Sequence, residues 1–220
     1  MDELRPGLHR WTARHPDWHP NSAFGAEVAS FALQTDDRGL LLLDPLVPDD
    51  APDLLDALAT EADTIDILIT IGYHARSAEA LSERYDRAPI RGPENVRRRL
   101  TDPSGFRALT ADAPGPAGAT ALAIGRPRRS ESPIWFPTHQ ALAFGDALVT
   151  TPDGALRMWC QEPVTDQRAA FYRERFAPTL EPLVGLRPRH VLTTHGAPIL
   201  DDGAAALAKA AADAPWYHRS

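Results

Sequence analysis

The sequence contains a single cysteine, Cys160, among its 220 residues, and one cysteine cannot form a disulfide within the chain. No apolar run approaches the roughly 18 residues of a membrane-spanning helix. The first residues, MDELRPGLHRW, lack the charged-then-apolar order of a signal peptide. We therefore expect a cytoplasmic protein with no membrane partner.

Basic residues are fewer than acidic ones, with 23 Lys and Arg against 30 Asp and Glu, which gives a formal charge of −7. Such a chain has no net attraction for nucleic acid, so no nucleic-acid partner is expected. A hydrophobic content of 43% suffices for one core, and neither a repeat nor a linker interrupts the sequence. These features predict a single domain over 1–220, with the aromatic and histidine-rich residues 1–24 as a flap.

Strand and helix patterns alternate along the chain. Residues 26–48 predict a β-hairpin around the turn TDDRG, with a fully buried second strand. Further strands are predicted over 65–70, 88–90, 119–125, 133–136 and 141–150, and before His195. Helices are predicted over 51–62, from Ser77, over 93–100 and 167–185, and in the alanine-rich C-terminal segment. The alternation predicts an α/β architecture of stacked sheets flanked by helices.

Three polar side chains follow apolar strands: His74 after IDILIT, Asp146 after ALAFG and His195 after HVLTT. In α/β proteins the loops at strand ends gather functional side chains, so these three residues form a candidate site. Tyr73 and Arg76 lie in the same strand-to-helix loop as His74 and are included in that site.

The segments LLLLDPL, ILITIGYHARSAEAL, ALAFGDALV and HVLTTHGAPIL, in this order, resemble the metallo-β-lactamase superfamily from about residue 25 to 200. The resemblance implies an αββα sandwich, in which two mixed β-sheets are flanked by helices and a metal site lies at one edge between the sheets. It also implies a T-H-x-H-x-D-H motif beginning at Thr70. Aligned on that threonine, Ile71 and Tyr73 occupy the first two histidine positions, and Arg76 occupies the last one.

The resemblance leaves only Asp146 and His195 at ligand positions, because Ala75 replaces the motif's aspartate, His74 falls between ligands, and Arg128 or Arg129 replaces a later histidine. Zinc and iron need three or four N, O or S donors, and a guanidinium group only donates hydrogen bonds. We therefore expect no metal cofactor. Arg76 is expected to occupy the space of the ion and to pair with Asp146.

The sequence thus predicts a metallo-β-lactamase-like protein that has lost the usual metal-dependent hydrolase activity and binds a small anionic ligand in the former site. The residues of that site are Tyr73, His74, Arg76, Asp146 and His195. One alternative is a hydrolase that holds one zinc or iron ion through His74, Asp146 and His195. A second alternative is a metal-free acid–base enzyme, in which a histidine beside a carboxylate serves as the general base.

Other histidines and aromatic residues admit several interpretations. The N-terminal group of His9, Trp11, His15, Trp18 and His19 is predicted to pack on the sandwich as the flap. It could instead cover the pocket mouth, supply a substitute ligand or contact a second copy of the chain in a homo-oligomer. His139 is predicted in a surface turn, and Cys160 is predicted to be buried and inert.

Overall fold

The computed structural model of the chain describes residues 1–22 and 24–218. Residue 23 of the predicted flap and residues 219 and 220 of the predicted domain lie outside the described residues. Within the described ranges, no helix has both the length and the apolar composition needed to cross a bilayer.

The larger sheet contains seven strands, which follow one another in space in chain order. They are β1 (Asp2–Arg5), β2 (Leu8–Arg14), β3 (Glu27–Gln34), β4 (Gly39–Leu43), β5 (Thr64–Leu68), β6 (Ile90–Gly92) and β7 (Phe106–Ala108). The pairings from β1 to β4 are antiparallel, and those from β4 to β7 are parallel. The predicted hairpin is confirmed as β3 and β4.

The second sheet contains four strands, and a separate hairpin lies between two of them in sequence. The strands are β8 (Thr120–Ala121), β9 (Ile134–Phe136), β10 (Ala141–Phe144), β11 (Leu148–Thr150), β12 (Leu156–Met158) and β13 (His190–Thr193). In the sheet the order is β13-β10-β9-β8, with β10 parallel to β13, and β11 pairs with β12.

The helices are short, and they lie on the outer faces of the two sheets. The α-helices are α1 (Asp56–Glu61), α2 (Ala78–Arg84), α3 (Asp166–Phe171), α4 (Glu181–Gly185) and α5 (Gly203–Ala212). Single turns of 3-10 helix occupy Gly72–His74, Pro103–Gly105, Pro116–Gly118 and Ala177–Leu180, a longer one occupies Glu94–Arg99, and Tyr172–Phe176 is a π-helix.

Burial on both sides of each sheet explains the continuous apolar strands. In β4, Leu41 and Leu43 pack in the layer between the sheets, together with Phe136 and Leu192 of the second sheet. Leu40 and Leu42 pack on the opposite face in a cluster with residues of α2, and a third cluster joins the second sheet to α4 and α5. The four layers form the αββα sandwich that the resemblance implied.

The structure corrects the predicted N-terminal flap, because β1 is an edge strand of the seven-stranded sheet and β2 lies between β1 and β3. In β2, Leu8, Trp11 and Ala13 are buried, and Nε1 of Trp11 donates a hydrogen bond to the carbonyl oxygen of Leu46 at 2.8 Å. The density of aromatic residues suggests a flap, whereas residues Leu8–Arg14 pair with β3 along their whole length and form a strand. The loop after β2 lines a cavity that also contains His195.

Several predicted elements are shorter or broken. The strand over 141–150 divides at Gly145, and its second part pairs with β12 instead of joining the second sheet. The helix over 167–185 is interrupted, because Pro178 and Pro182 remove backbone donors from a continuous helix. The helices predicted over 51–62 and 93–100 are reduced to α1 and to the 3-10 helix Glu94–Arg99.

Candidate functional site

The candidate site lies where the carboxyl ends of four strands meet at one edge of the sandwich. Asp44 directly follows β4, and His74 lies in the loop after β5, which is parallel to β4. Asp146 and His195 each come two residues after the parallel strands β10 and β13. Parallel strands end at the same edge of a sheet, which is why the fold brings these four side chains together.

His74 is buried between two carboxylates. Its Nδ1 lies 2.9 Å from Oδ2 of Asp44, and its Nε2 lies 3.3 Å from Oδ1 of Asp146. Burial and the nearby Arg76 lower the pKa of His74, but Asp44 and Asp146 raise it more, to about 9. In the absence of an ion, the His74 ring is therefore protonated on both nitrogens and positively charged at neutral pH.

Asp44 is held rigidly, although no role was assigned to it from the sequence. Its Oδ1 accepts a hydrogen bond from the backbone N–H of Thr70 at 2.8 Å, and its Oδ2 accepts one from the Thr70 hydroxyl at 2.5 Å. Its backbone is left-handed, with φ 44°. Asp44 thus fixes the ring of His74 as a carboxylate does beside a metal-binding histidine.

Asp146 lies between two imidazoles. Its Oδ1 is 3.3 Å from Nε2 of His74 and 3.3 Å from Nε2 of His195, and the three donor atoms all lie within 4.8 Å of one another. Neither contact is a hydrogen bond, so among the described residues this buried oxygen has no hydrogen-bond partner. Burial raises the pKa of Asp146, but His74 and His195 outweigh burial and hold it well below its usual value.

His195 is oriented by stacking. Burial lowers its pKa, so the imidazole is neutral at neutral pH. The ring of Phe24 stacks on it with centroids 3.7 Å apart and planes inclined by 7°. Its Nδ1 is buried and has no hydrogen-bond partner within the described part of the chain.

Glu131 positions Asp146 and was also missed by the sequence analysis. Its buried carboxylate accepts hydrogen bonds from the backbone N–H groups of Gly145, Asp146 and Ala147 at 2.9, 2.8 and 2.7 Å. Burial raises the pKa of Glu131 to about 7. Three donors from consecutive residues fix the loop that carries the Asp146 side chain into the cluster.

A cavity of about 170 Å³ lies beside the cluster, and the loop after β2 forms part of its wall. Among its lining residues are His15, Trp18, Phe24 and His195. Of the N-terminal histidines proposed as a substitute ligand, His15 is the one that lines this cavity, and it is not among the three residues whose donor atoms converge. The N-terminal segment therefore shapes the pocket.

Two of the five predicted site residues depart from expectation. Tyr73 is 68% exposed and lies under the guanidinium of Arg99, 4.2 Å from its ring centroid, so it is not part of the cluster. Arg76 makes no ion pair with Asp146 or any other carboxylate within 4 Å among the described residues, and its Nη1 donates instead to the Asp44 carbonyl oxygen at 3.4 Å. The expected Arg76–Asp146 pair is wrong because Asp146 faces the two histidines.

Two predictions outside the cluster agree with the structure. His139 lies in the turn between β9 and β10, at the opposite end of β10 from Asp146. Cys160 is buried, and its thiol donates to the carbonyl oxygen of Glu162.

The chain is similar to known proteins in structure rather than in sequence. No family model matches the sequence, and no curated protein matches it. The DIM-1 metallo-β-lactamase, in a crystal structure exposed to ceftazidime, has a TM-score of 0.63 with 14% sequence identity. That similarity covers 96% of this chain and 95% of the DIM-1 chain. The chain has the metallo-β-lactamase fold.

Two further solved structures share this fold. Rubredoxin oxygen:oxidoreductase from the anaerobe Desulfovibrio gigas has a TM-score of 0.65 and 16% identity, over 96% of this chain and 59% of its own. The chemotaxis sensor ODP, solved as a peroxy diiron species, has a TM-score of 0.60 and 16% identity, over 86% of this chain and 87% of its own. The fold implied by the resemblance is therefore confirmed, and within it His74, Asp146 and His195 form a cluster of possible metal ligands.

Proposed function

We propose that this chain is a metal-dependent hydrolase that binds one divalent ion through Nε2 of His74, Oδ1 of Asp146 and Nε2 of His195. The observation that carries the proposal is the geometry at Asp146. Its Oδ1 lies 3.3 Å from each imidazole nitrogen without forming a hydrogen bond. Two donors of a tetrahedral zinc ion, each about 2.0–2.1 Å from it, lie roughly 3.3–3.4 Å apart.

The donor set fits zinc or iron, the two metals of the single-ion alternative. Two imidazoles and one carboxylate form a frequent catalytic zinc site and also the triad of many mononuclear iron enzymes. Three protein donors leave a coordination position open for substrate. A divalent ion in such a site supplies the Lewis acidity that activates a water molecule for hydrolysis.

Residues around the donors prepare them for the ion. Asp44 accepts a hydrogen bond from Nδ1 of His74, so that the lone pair of Nε2 is directed to the cluster when the ring loses its second proton. Glu131 fixes the backbone on both sides of Asp146, and Phe24 fixes the plane of His195. These supporting contacts favour a preorganised metal site over a former site that no longer binds an ion.

Arg76 gives the proposed site a preference for substrates with negative charge. The guanidinium is close enough to the cluster to interact electrostatically with Asp44 and Asp146, and burial lowers its pKa without removing its proton at neutral pH. Its Nε is buried without a partner among the described residues. A guanidinium with an unused donor suits a carboxylate or phosphate group of a bound molecule.

The names of the structurally similar proteins support a metal centre, but they do not favour one particular reaction. A β-lactamase, an oxygen oxidoreductase and a diiron-containing sensor share this fold. The cluster in the described residues of this chain offers three donors, which suits one ion better than a pair of irons. We therefore favour hydrolysis over chemistry at a diiron centre.

Calorimetric titration of zinc into chelator-treated, dialysed protein tests the proposal. We expect one zinc per chain, with affinity reduced at least 100-fold in Asp146→Asn and His195→Gln and unchanged in His9→Gln, which alters a histidine outside the cluster. Chelator-sensitive cleavage of model esters, thioesters or lactams tests the hydrolase activity. Absence of zinc binding, or equal binding by Asp146→Asn, contradicts the metal site.

The unpartnered Nε of Arg76 also favours a second candidate, a metal-free site for a small anion. A buried guanidinium repels a divalent ion, so the same cluster could bind phosphate or a carboxylate instead. In that case phosphate should raise the melting temperature of the chain, and Arg76→Gln should abolish this increase. Zinc should leave the melting temperature unchanged. Cleavage that persists in chelator favours the metal-free acid–base enzyme.

A further inference from the structure

A second and larger cavity, of about 430 Å³, opens on the side of the molecule formed by α3 and the segment after β12. It is lined by residues of three segments, among them Arg128, Cys160, Gln161, Phe171 and Tyr172. Its volume lies in the range of small-molecule binding pockets. Trp159 and Phe24, with ring centroids 4.2 Å apart, separate Arg128 from His195, so this cavity is distinct from the proposed metal site.

Arg128 places an uncompensated positive charge in this cavity. Its guanidinium lies over the ring of Trp159, 4.1 Å from the centroid, and its Nη2 donates to the Trp159 carbonyl oxygen at 3.3 Å. Within the described part of the chain it has no carboxylate partner within 4 Å, and its Nε has no acceptor. The other arginine of the lining, Arg168, is neutralised by an ion pair with Glu162.

Two other polar groups of the wall, the Tyr172 hydroxyl and the Cys160 thiol, bind backbone carbonyl oxygens. The Tyr172 hydroxyl donates to the Trp159 carbonyl oxygen at 2.9 Å, and burial raises its pKa to about 12, so it stays a neutral phenol. The Cys160 thiol donates to the carbonyl oxygen of Glu162 at 3.1 Å. Of the two arginines in the wall, Arg128 is therefore the one without a carboxylate partner among the described residues.

Aromatic surface lies beside that charge. Phe171 is 39% exposed although it is a large apolar residue, and its ring packs edge-on against Tyr172 with centroids 6.3 Å apart. An exposed phenylalanine at a cavity wall offers apolar area to a flat ligand. The cavity thus combines one guanidinium with an aromatic face.

We propose that this cavity binds a small aromatic carboxylate, whose carboxylate pairs with Arg128 and whose ring packs against Phe171 and Tyr172. The guanidinium matches a carboxylate with two parallel hydrogen bonds, and its stacking on Trp159 restricts its motion before the ligand arrives. The proposal is independent of the metal site, because none of the three donor residues lines this cavity.

Titration of 1-naphthoate into the full chain by calorimetry, in the presence of a chelator, tests the proposal. We expect saturable binding that weakens at least tenfold in Arg128→Gln and stays within twofold in Arg129→Gln, which alters the exposed neighbouring arginine. Arg128→Lys should bind with intermediate affinity, and it keeps the test valid if Arg128→Gln does not fold. The uncharged 1-naphthalenemethanol should bind at least tenfold more weakly than naphthoate.

Three results overturn the proposal: no naphthoate binding to the unaltered chain, equal binding by folded Arg128→Gln, or equal binding of the uncharged alcohol. Zinc titration distinguishes this failure from that of the proposed function. Loss of naphthoate binding leaves the zinc affinity of the His-Asp-His cluster unaffected, and absence of zinc binding leaves the naphthoate result unaffected.

Discussion

The carboxylate of Asp44 lies 2.9 Å from Nδ1 of His74, and this contact directs the other ring nitrogen towards Asp146. Asp44 is itself fixed by two hydrogen bonds from Thr70. Successive contacts therefore connect the end of β4, through the His74 imidazole, to Asp146 of the second sheet. Each of these contacts can be tested separately.

Asp44→Asn should weaken zinc binding about 10- to 100-fold, the usual effect of losing the carboxylate that orients a metal-binding histidine. It should also lower the free energy of unfolding by about 3 kcal/mol, because buried His74 loses its counter-ion. Calorimetry and urea denaturation measure the two effects. Asp63→Asn, which removes an exposed carboxylate paired with Arg38, is the control and should change neither value. Unaltered zinc affinity in Asp44→Asn would show that Asp44 has no orienting role.

Glu131→Gln should lower the free energy of unfolding by about 1–3 kcal/mol, because an amide has one acceptor oxygen for three buried backbone donors. Zinc affinity should fall as well, since the loop that carries Asp146 loses its support. Urea denaturation and zinc titration measure these effects, with Glu83→Gln as a control at an exposed carboxylate on α2. If only stability changes, Glu131 supports the fold without positioning Asp146.

Gly145→Ala should destabilise the protein by about 1–3 kcal/mol, because the added methyl group overpacks the cluster. A Cβ at Gly145 would lie 2.6 Å from Oγ1 of Thr70 and 3.2 Å from Cε1 of His74. Thermal unfolding measures the effect. Gly105→Ala is the matched control, since a Cβ there meets nothing within 4 Å. Equal melting temperatures for the two variants would be incompatible with this close approach.

Arg76→Gln should raise zinc affinity roughly tenfold, because it removes a positive charge beside the cluster. Its effect on stability should stay below about 2 kcal/mol, since no carboxylate loses an ion-pair partner within 4 Å. Calorimetry of zinc binding and urea denaturation check both values. A loss of zinc affinity, or a stability loss of more than about 3 kcal/mol, would instead indicate that Arg76 is a structural counter-ion of the carboxylates.

The layers of the fold could be predicted because the apolar pattern of a strand is visible within a few consecutive residues of the sequence. The continuous run of leucines in β4 indicates burial on both faces, and the order of the four segments that resemble the metallo-β-lactamase superfamily indicates the sandwich. Proline positions were visible in the sequence, but the break that they impose on the helix over 167–185 was not inferred. The sequence does not predict the N-terminal strands, because the buried residues Leu8, Trp11 and Ala13 do not follow the two-residue alternation of a half-buried strand.

Three of the five predicted site residues converge, and the supporting residues were missed for a physical reason. Asp44 carries a local signal, a charged residue directly after a fully buried strand. Glu131 has none, since it lies in the polar segment RRSES and its burial depends on backbone donors from residues 145–147. The orientation of Arg76 could not be deduced from motif alignment, because its left-handed backbone, with φ 33°, is set by the loop.

The central claim, one divalent ion held by His74, Asp146 and His195, is tested most directly by anomalous diffraction. Crystals of protein purified without chelator would be measured above and below the zinc and iron absorption edges. We expect one anomalous peak about 2.0–2.2 Å from the three donor atoms. A map without a peak between these residues, from crystals grown with added zinc, would contradict the claim.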